Sequence, residues 1–214
     1  MTATAGIIVA PTPANAELAE AQSTREEEAA LVRQAQAGSL EAFSRLVSRH
    51  QGGVFNYLRR RGAAPCDAED LAQETFVRAW TALATYNPRW RLSTWLYAIA
   101  TRLAIDHQRA QKSRKNARPR TMAGESTDPV QPILEGEARR QLWSVAQRTL
   151  SDEERSALWL KYAENLSSSE IARVLGRSAI TVRVMLFRAR RALAAAMVDG
   201  AGNEAERDDK GARP

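Results

Sequence analysis

The stretch Ser167-Ser168-Ser169-Glu170-Ile171-Ala172-Arg173-Val174-Leu175-Gly176-Arg177-Ser178 decides how this chain is read. Ser167 followed three residues later by Glu170 is a capping-box pattern, in which hydroxyl and carboxylate each satisfy a free amide at a helix start. Gly176 suits the left-handed residue that closes a helix. Ser178 is placed to cap the next helix, whose Val182, Leu186, Ala189 and Leu193 share one face. Ile171, Ala172 and Leu175 are then expected to pack on Val182 and Leu186, giving a helix-turn-helix. The face left free holds Arg183, Val184, Phe187 and Arg188. A second helix of this kind enters the major groove, where arginine bonds guanine O6 and N7. Arg177, Arg190 and Arg191 are placed for phosphates. An ordinary helical hairpin with a solvated basic face is the competing reading. Caps, glycine, core spacing and charge all agree on the DNA reader.

Working outward, Ser151 with Glu154 makes a second capping box, before a helix carrying Leu158, Leu160 and Tyr162. Helical period holds from about Glu137 to Val198, and again upstream from about Glu26 to Gln111. Phe43, Leu46 and Val47, then Val54, Phe55 and Leu58, recur at three and four. After Pro65, Asp67 is placed to cap a helix whose Ala72, Phe76, Ala79, Trp80 and Leu83 form a buried stripe. Pro88 breaks the pattern. A further helix runs from about Ser93 through Trp95, Leu96, Ile99, Leu103 and Ile105 to Arg109. Residues 112–136 contain Pro119, Pro129 and Pro132, lose the period and read as a flexible linker. Extended, that linker reaches roughly 80 Å, more than two duplex turns of about 34 Å each. No stretch alternates as a strand does. The expected architecture is all-α: a mobile extension 1–25, a helical domain 26–111, the linker, a helix-turn-helix domain 137–198 and a tail 199–214.

The 214 residues suffice for one ordinary domain or two small ones, and 44% of them are apolar. A single cysteine, Cys66, excludes a disulfide framework, and isolated His50 and His107 give no metal-ligand spacing. A reducing, cytoplasmic compartment fits. Ile7-Ile8-Val9-Ala10 is too short for a signal core, and no apolar run of about 18 residues exists to span a membrane. Neither a glycine-rich phosphate loop nor a paired nucleophile and base is present. His107 lies beside Asp106, but neighbours on a helix diverge. An enzyme, a metal site and a bound cofactor are therefore not expected.

With the helix-turn-helix in hand, the chain from about Ala29 to Met197 resembles the extracytoplasmic-function sigma factors, two-domain bacterial transcription initiation factors. Three blocks in family order carry the resemblance. Asp67-Ala68-Glu69-Asp70-Leu71-Ala72-Gln73-Glu74-Thr75-Phe76-Val77-Arg78-Ala79-Trp80 is similar to the family's region 2.2. Ser93-Thr94-Trp95-Leu96-Tyr97-Ala98-Ile99-Ala100, with Asp106 and Arg109, is similar to the regions that handle the −10 element. Glu170-Ile171-Ala172, Thr181-Val182-Arg183 and Phe187-Arg188-Ala189-Arg190 resemble region 4, which reads the −35 element. The resemblance implies a non-catalytic subunit that recruits core RNA polymerase to promoters.

It also implies roles for residues. With Phe76 and Trp80 in the core, Asp70, Gln73, Glu74 and Val77 point outward and would meet the polymerase β′ clamp; region 4 would meet the β flap. Arg89, Trp90, Arg91, Trp95, Arg102, Arg109 and Lys112 would trap the melted −10 strand, since rings stack on unpaired bases while arginine holds backbone. Tyr86 and Tyr97 lie in the same aromatic cluster. Trp95 is the better candidate for core and Trp90 for contact. Lys112, Arg114, Lys115 and Arg118 extend the basic track. Arg177, Ser178, Thr181, Arg183, Val184, Phe187, Arg188 and Arg190 would engage −35 duplex. The family further implies control by an anti-sigma protein.

This chain departs from the pattern at Ala98, Thr101 and Arg102, at Leu92, and at Val184 and Met185, where polar or basic residues are common. Val184 offers only apolar contact, for example to a thymine methyl. Asn165 stands where glycine is frequent. A helix-turn-helix repressor with a ligand-sensing domain is the main rival reading, and leaves the Asp70/Gln73/Glu74 face unexplained. The net charge of +6 has two addresses. Residues 109–120 carry six basic and no acidic side chains, and residues 139–197 carry eleven basic against five acidic.

Overall fold

The structure, a computed structural model, describes residues 13–117 and 137–211, with side chains placed over 22–114 and 142–197. All regular structure among the described residues is helical, and the chain divides into two units, up to Arg49 and from His50 onward. In order, the helices are α1 (Pro13–Gln36), α2 (Leu40–Arg60), α3 (Pro65–Ala82), α4 (Leu92–Ala117), α5 (Glu137–Thr149), α6 (Asp152–Tyr162), α7 (Ser168–Leu175) and α8 (Ala179–Gly211). A single 3-10 turn, Leu83–Thr85, follows α3. No helix of the described residues is long and apolar enough to cross a membrane.

Three boundaries differ from the sequence reading. The extension 1–25 contains the start of α1, because Pro13 suits a first helical turn and the Ala/Glu-rich segment after it is strongly helix-forming. The tail is helical to Gly211, since Ala and Glu outweigh its glycines and no proline interrupts it. The first six residues of the expected linker continue α4 to Ala117, and residues 118–136, with Arg118, lie outside the described residues.

In the first unit, Val32, Ala35, Ala42 and Leu46 are buried. Ser39 caps α2 by accepting from the Ala42 amide at 3.2 Å. In the second unit, α3 packs on α4 and buries Leu71, Ala72, Phe76 and Ala79 against Leu96, Ala100, Leu103 and Ala104. Pro65, not Asp67, sets the start of α3: the cap position is Ala64, with no side-chain bond. Proline has no amide to satisfy there. Asp67 instead accepts from Gln111 at 3.1 Å and lies 3.3 Å from the His107 ring, tying α3 to α4.

Helices α5 to α8 build the second helical group. Both capping boxes form: the Glu154 amide reaches Ser151 Oγ at 3.4 Å, and the Glu170 amide reaches Ser167 Oγ at 3.2 Å. Gly176 closes α7 at φ 65°, left-handed as its position requires, and Ser178 Oγ accepts from the Thr181 amide at 3.1 Å. Ile171, Ala172 and Val174 are buried with Val182, Leu186, Ala189 and Leu193. Val174 thus takes the core place expected of Leu175. Tyr162 is also not core: it is 62% exposed, and Arg190 points at its hydroxyl. Asn165 adopts φ 50°, which explains an amide side chain where glycine is frequent, because asparagine tolerates the left-handed region.

The two helical groups of this unit meet, with α7 packed on α4. Several polar contacts cross the seam. Arg61, 5% exposed, donates to Tyr57 Oη at 3.2 Å and Ser156 Oγ at 3.3 Å. Arg155 donates to the Arg60 carbonyl at 3.3 Å, and Gln108 to Asp152 at 3.1 Å. The Arg60 guanidinium lies 4.6 Å from the ring centre of Trp143 and 5.4 Å from that of Trp159. Gly53 allows a close approach here: a Cβ at that position would fall 2.6 Å from the Tyr97 hydroxyl. Burial, and then the neighbouring Glu164 carboxylate that accepts its hydrogen bond, push the Tyr97 phenol far above its usual range.

Candidate nucleic-acid interface

Three exposed faces arise from the periodicities of α3, α4 and α8. On α3 Ala72, Phe76 and Ala79 of the expected stripe are buried, while Trp80 is only half-buried; Asp70 and Gln73 are exposed, Glu74 is half-buried and Val77 is 58% exposed. Glu74 pairs with Arg78 at 2.7 Å. The face is acidic with one apolar residue in it.

On α4, Leu96, Tyr97, Ala100, Thr101, Leu103 and Ala104 point into the core. The opposite face therefore carries Trp95, Arg102, Arg109 and Lys112, seven, seven and three residues apart, on one stripe that Arg91 prolongs. Arg91, Arg102, Arg109 and Lys112 are exposed, and Arg109 lies 3.8 Å from the Asp106 carboxylate. Arg89 is exposed in the preceding loop, where its amide bonds the Asn87 side chain at 3.0 Å. Trp95 is half-buried, its ring 5.3 Å from that of Tyr86.

Two aromatic residues of this cluster are core. Tyr86 is 9% exposed and donates to the Trp90 carbonyl at 2.5 Å, while Tyr97 is 2% exposed and edge-on to Tyr57 at 5.1 Å. Thr101 is core too, bonded to Tyr57 Oη at 2.7 Å.

Trp90 is where the sequence reading misses a contact. The Arg173 guanidinium of α7 sits 3.6 Å from its ring centre, close enough for a cation–π interaction. Beside it, the Thr94 hydroxyl donates to Glu170 at 3.3 Å. Partial burial opposes the Glu170 charge, but hydrogen bonds from the Ser167 amide and hydroxyl, the Arg91 charge and the Thr94 hydroxyl outweigh it and hold its carboxyl below the usual range. No spacing rule announces this junction, because its partners lie 76 and 83 residues apart in sequence.

On α8 the buried Val182, Leu186, Ala189 and Leu193 leave the opposite side open. Arg183, Val184, Phe187, Arg188, Arg190 and Arg191 are all exposed, as expected. Arg177 is committed elsewhere, to a two-bond pair with Glu153 at 2.7 and 3.2 Å that raises its pKa. Ser178 spends its hydroxyl on capping, with Thr181 Oγ1 at 2.8 Å. Arg190 folds back, its Nε 3.2 Å from the Leu186 carbonyl. One residue of the free face was missed: Ile180, 70% exposed and one turn before Val184. Its spacing is the signal that finds it. Among the described residues no cluster of ligating side chains fit for a metal ion occurs.

Comparison with known proteins gives these faces a context. The family model for Sigma-70 region 2 matches residues 46–114, and that for Sigma-70 region 4 matches residues 145–193. The ECF RNA polymerase sigma factor BldN of Streptomyces coelicolor is 31% identical over 80% of this chain and 66% of its own length. The RNA polymerase sigma-H factor of Pseudomonas aeruginosa is 30% identical over 79% of this chain and 93% of its own. Among solved structures, CnrH in complex with the cytosolic domain of CnrY aligns with a TM-score of 0.60 at 26% identity, over 81% of this chain and 98% of that one. The sigma factor RpoE of Bartonella quintana, solved with the anti-sigma factor NepR, shares the fold at a TM-score of 0.63 and 20% identity, over 74% of this chain and 98% of that one.

Proposed function

This chain belongs to the extracytoplasmic-function sigma factors, and we propose that its three exposed faces divide the work of such a factor. It directs promoter-specific initiation by core RNA polymerase. The α3 face of Asp70, Gln73, Glu74 and Val77 docks on the polymerase clamp, its carboxylates meeting basic or donor-rich partners around one apolar contact. Arg89, Trp90, Arg91, Trp95, Arg102, Arg109 and Lys112 hold the melted −10 strand. Arg183, Val184, Phe187 and Arg188 read −35 base edges, while Thr181 and Arg190 hold phosphate and Ser178 fixes the helix start. Arg177 reaches phosphate only by leaving Glu153. The chain acts as a specificity subunit without a covalent step, on the nucleoid in the cytoplasm. An anti-sigma protein, of the kind bound to Bartonella quintana RpoE, silences it.

One observation favours this over a helix-turn-helix repressor: a second exposed basic stripe, on α4, starts at the half-buried ring of Trp95. A repressor needs no grip on unpaired bases. The test is run-off transcription with core polymerase, with and without the full chain. Promoter-dependent transcripts are expected, and the Asp70→Lys/Glu74→Lys double variant should lose co-purification with core enzyme while keeping its helical content. Tight operator binding without any transcript would establish the repressor instead.

A further inference from the structure

We propose that Ile180, Val184 and Phe187 form an apolar rail on α8 that makes promoter recognition depend on thymine methyl groups in the −35 duplex. The inference rests on the reading of α8 as the −35 reader and adds the chemistry by which it selects.

The three side chains are 70%, 43% and 59% exposed, on a helix that buries Val182, Leu186, Ala189 and Leu193 along its other side. They sit four and three residues apart, on one line along the helix. Seven residues of helix rise about 10 Å, the length of about three base pairs at 3.4 Å each. Exposed apolar groups aligned in this way mark an interaction surface. The charge around the rail selects its occupant. Arg183, Arg188 and Arg191 flank it, all exposed, and no acidic residue occurs from Ala179 to Val198. The nearest carboxylates line the shallow groove beside Val184, and both are occupied: Glu153 by Arg177, Glu154 by its capping box. An apolar strip inside a cationic border fits a polyanion that offers apolar groups. In the major groove the C5-methyl of thymine is the apolar group on a base edge.

Arginine alone favours guanine. This rail shifts the preference toward thymines on either strand, at positions next to those that Arg183 and Arg188 contact. Ile180 stands nearest the helix start, where side chains of a reading helix meet base edges. Its long aliphatic side chain cannot take over a phosphate or a base hydrogen bond. It discriminates by contact or not at all.

The experiment uses the full chain in holoenzyme reconstituted with core polymerase. Promoters with a randomised −35 segment are selected by transcription. The recovered −35 sequence is then resynthesised with deoxyuridine replacing each thymine in turn, which removes one methyl and leaves every hydrogen bond. Thymine should be enriched at two or three positions, and each methyl removed should weaken promoter binding about fourfold, the equivalent of one buried methyl group. Ile180→Ala and Val184→Ala, both at exposed positions, should each abolish the thymine–uracil difference at one position and leave the salt dependence unchanged. A selected −35 sequence that binds equally with uracil overturns the rail while leaving the sigma assignment standing. Variants that alter only the binding of a protein partner overturn it as well. If no −35 sequence is enriched, the reading of α8 itself falls, and the rail with it.

Discussion

Helices α4 and α8 both turn arginines outward, and net charge alone does not tell them apart. What lies between the arginines does. On α4 the stripe of Arg91, Arg102, Arg109 and Lys112 runs from a half-buried Trp95, and the nearby Trp90 ring is covered by Arg173. On α8 the arginines border aliphatic and phenyl groups that stand open. Flat rings suit unpaired bases, whose faces are accessible only when the duplex is melted. Methyl-sized contacts suit the edges of an intact duplex. The two faces also differ in anchorage, since the start of α4 is held by α7 through Thr94–Glu170 and Trp90–Arg173, while Ile180, Val184 and Phe187 stand exposed on α8.

The largest expected effect breaks one side of this comparison at its foundation. Leu160 is fully buried in α6, beneath the helix-turn-helix. Leu160→Ala should lower stability by about 2–5 kcal/mol through lost burial and the cavity left behind. Urea unfolding followed by circular dichroism measures it, and an unchanged midpoint would remove Leu160 from the core. Next in size, Arg188→Ala should weaken −35 binding by about 1–3 kcal/mol, concentrated at one base position. Equal weakening on every sequence would assign Arg188 to phosphate instead.

Legibility differed between the two faces for physical reasons. The helix-turn-helix could be read closely because each of its signals is local: Ser167 and Glu170, Gly176, Ser178, and a core repeat of four and three. The α3 and α4 stripes were legible for the same reason. Errors arose where a long-range contact overrules a local preference. Asp67 looks like a cap but bonds across to α4. Tyr97 looks like part of a stacking cluster but is buried on Tyr57. Pairing of Arg173 with Trp90, or of Arg177 with Glu153, leaves no trace in periodicity, because long polar side chains find partners only once the helices are packed.

A smaller effect sharpens the α4 half. Arg102 is exposed and lies midway along the stripe. Arg102→Ala should weaken binding to single-stranded −10 oligonucleotide by about 1 kcal/mol or less, equally for all sequences. The slope of log affinity against log salt should shrink by about 0.7, the value for one phosphate contact on a single strand. A sequence-dependent loss would show instead that Arg102 contacts bases.

The smallest effect probes the junction that holds the start of α4. Glu170 has a carboxyl held below its usual range by Ser167, Arg91 and Thr94 against the opposing influence of partial burial. A carboxylate depressed on folding adds stability that is complete above its unfolded pKa and is lost as pH falls through its folded one. Glutamine serves equally in a capping box, so Glu170→Gln removes the charge while keeping the cap. At neutral pH and low salt the variant should be less stable by about 0.3–1 kcal/mol, the usual value of a charge at a helix N-terminus, and by less in high salt because the site is partly exposed. Below the carboxylate range the two proteins should converge. Urea midpoints measured from pH 7 to pH 3 decide it: parallel curves would mean that the Glu170 charge does nothing for the α4–α7 junction, and that the hold on Trp90 rests on Arg173 alone.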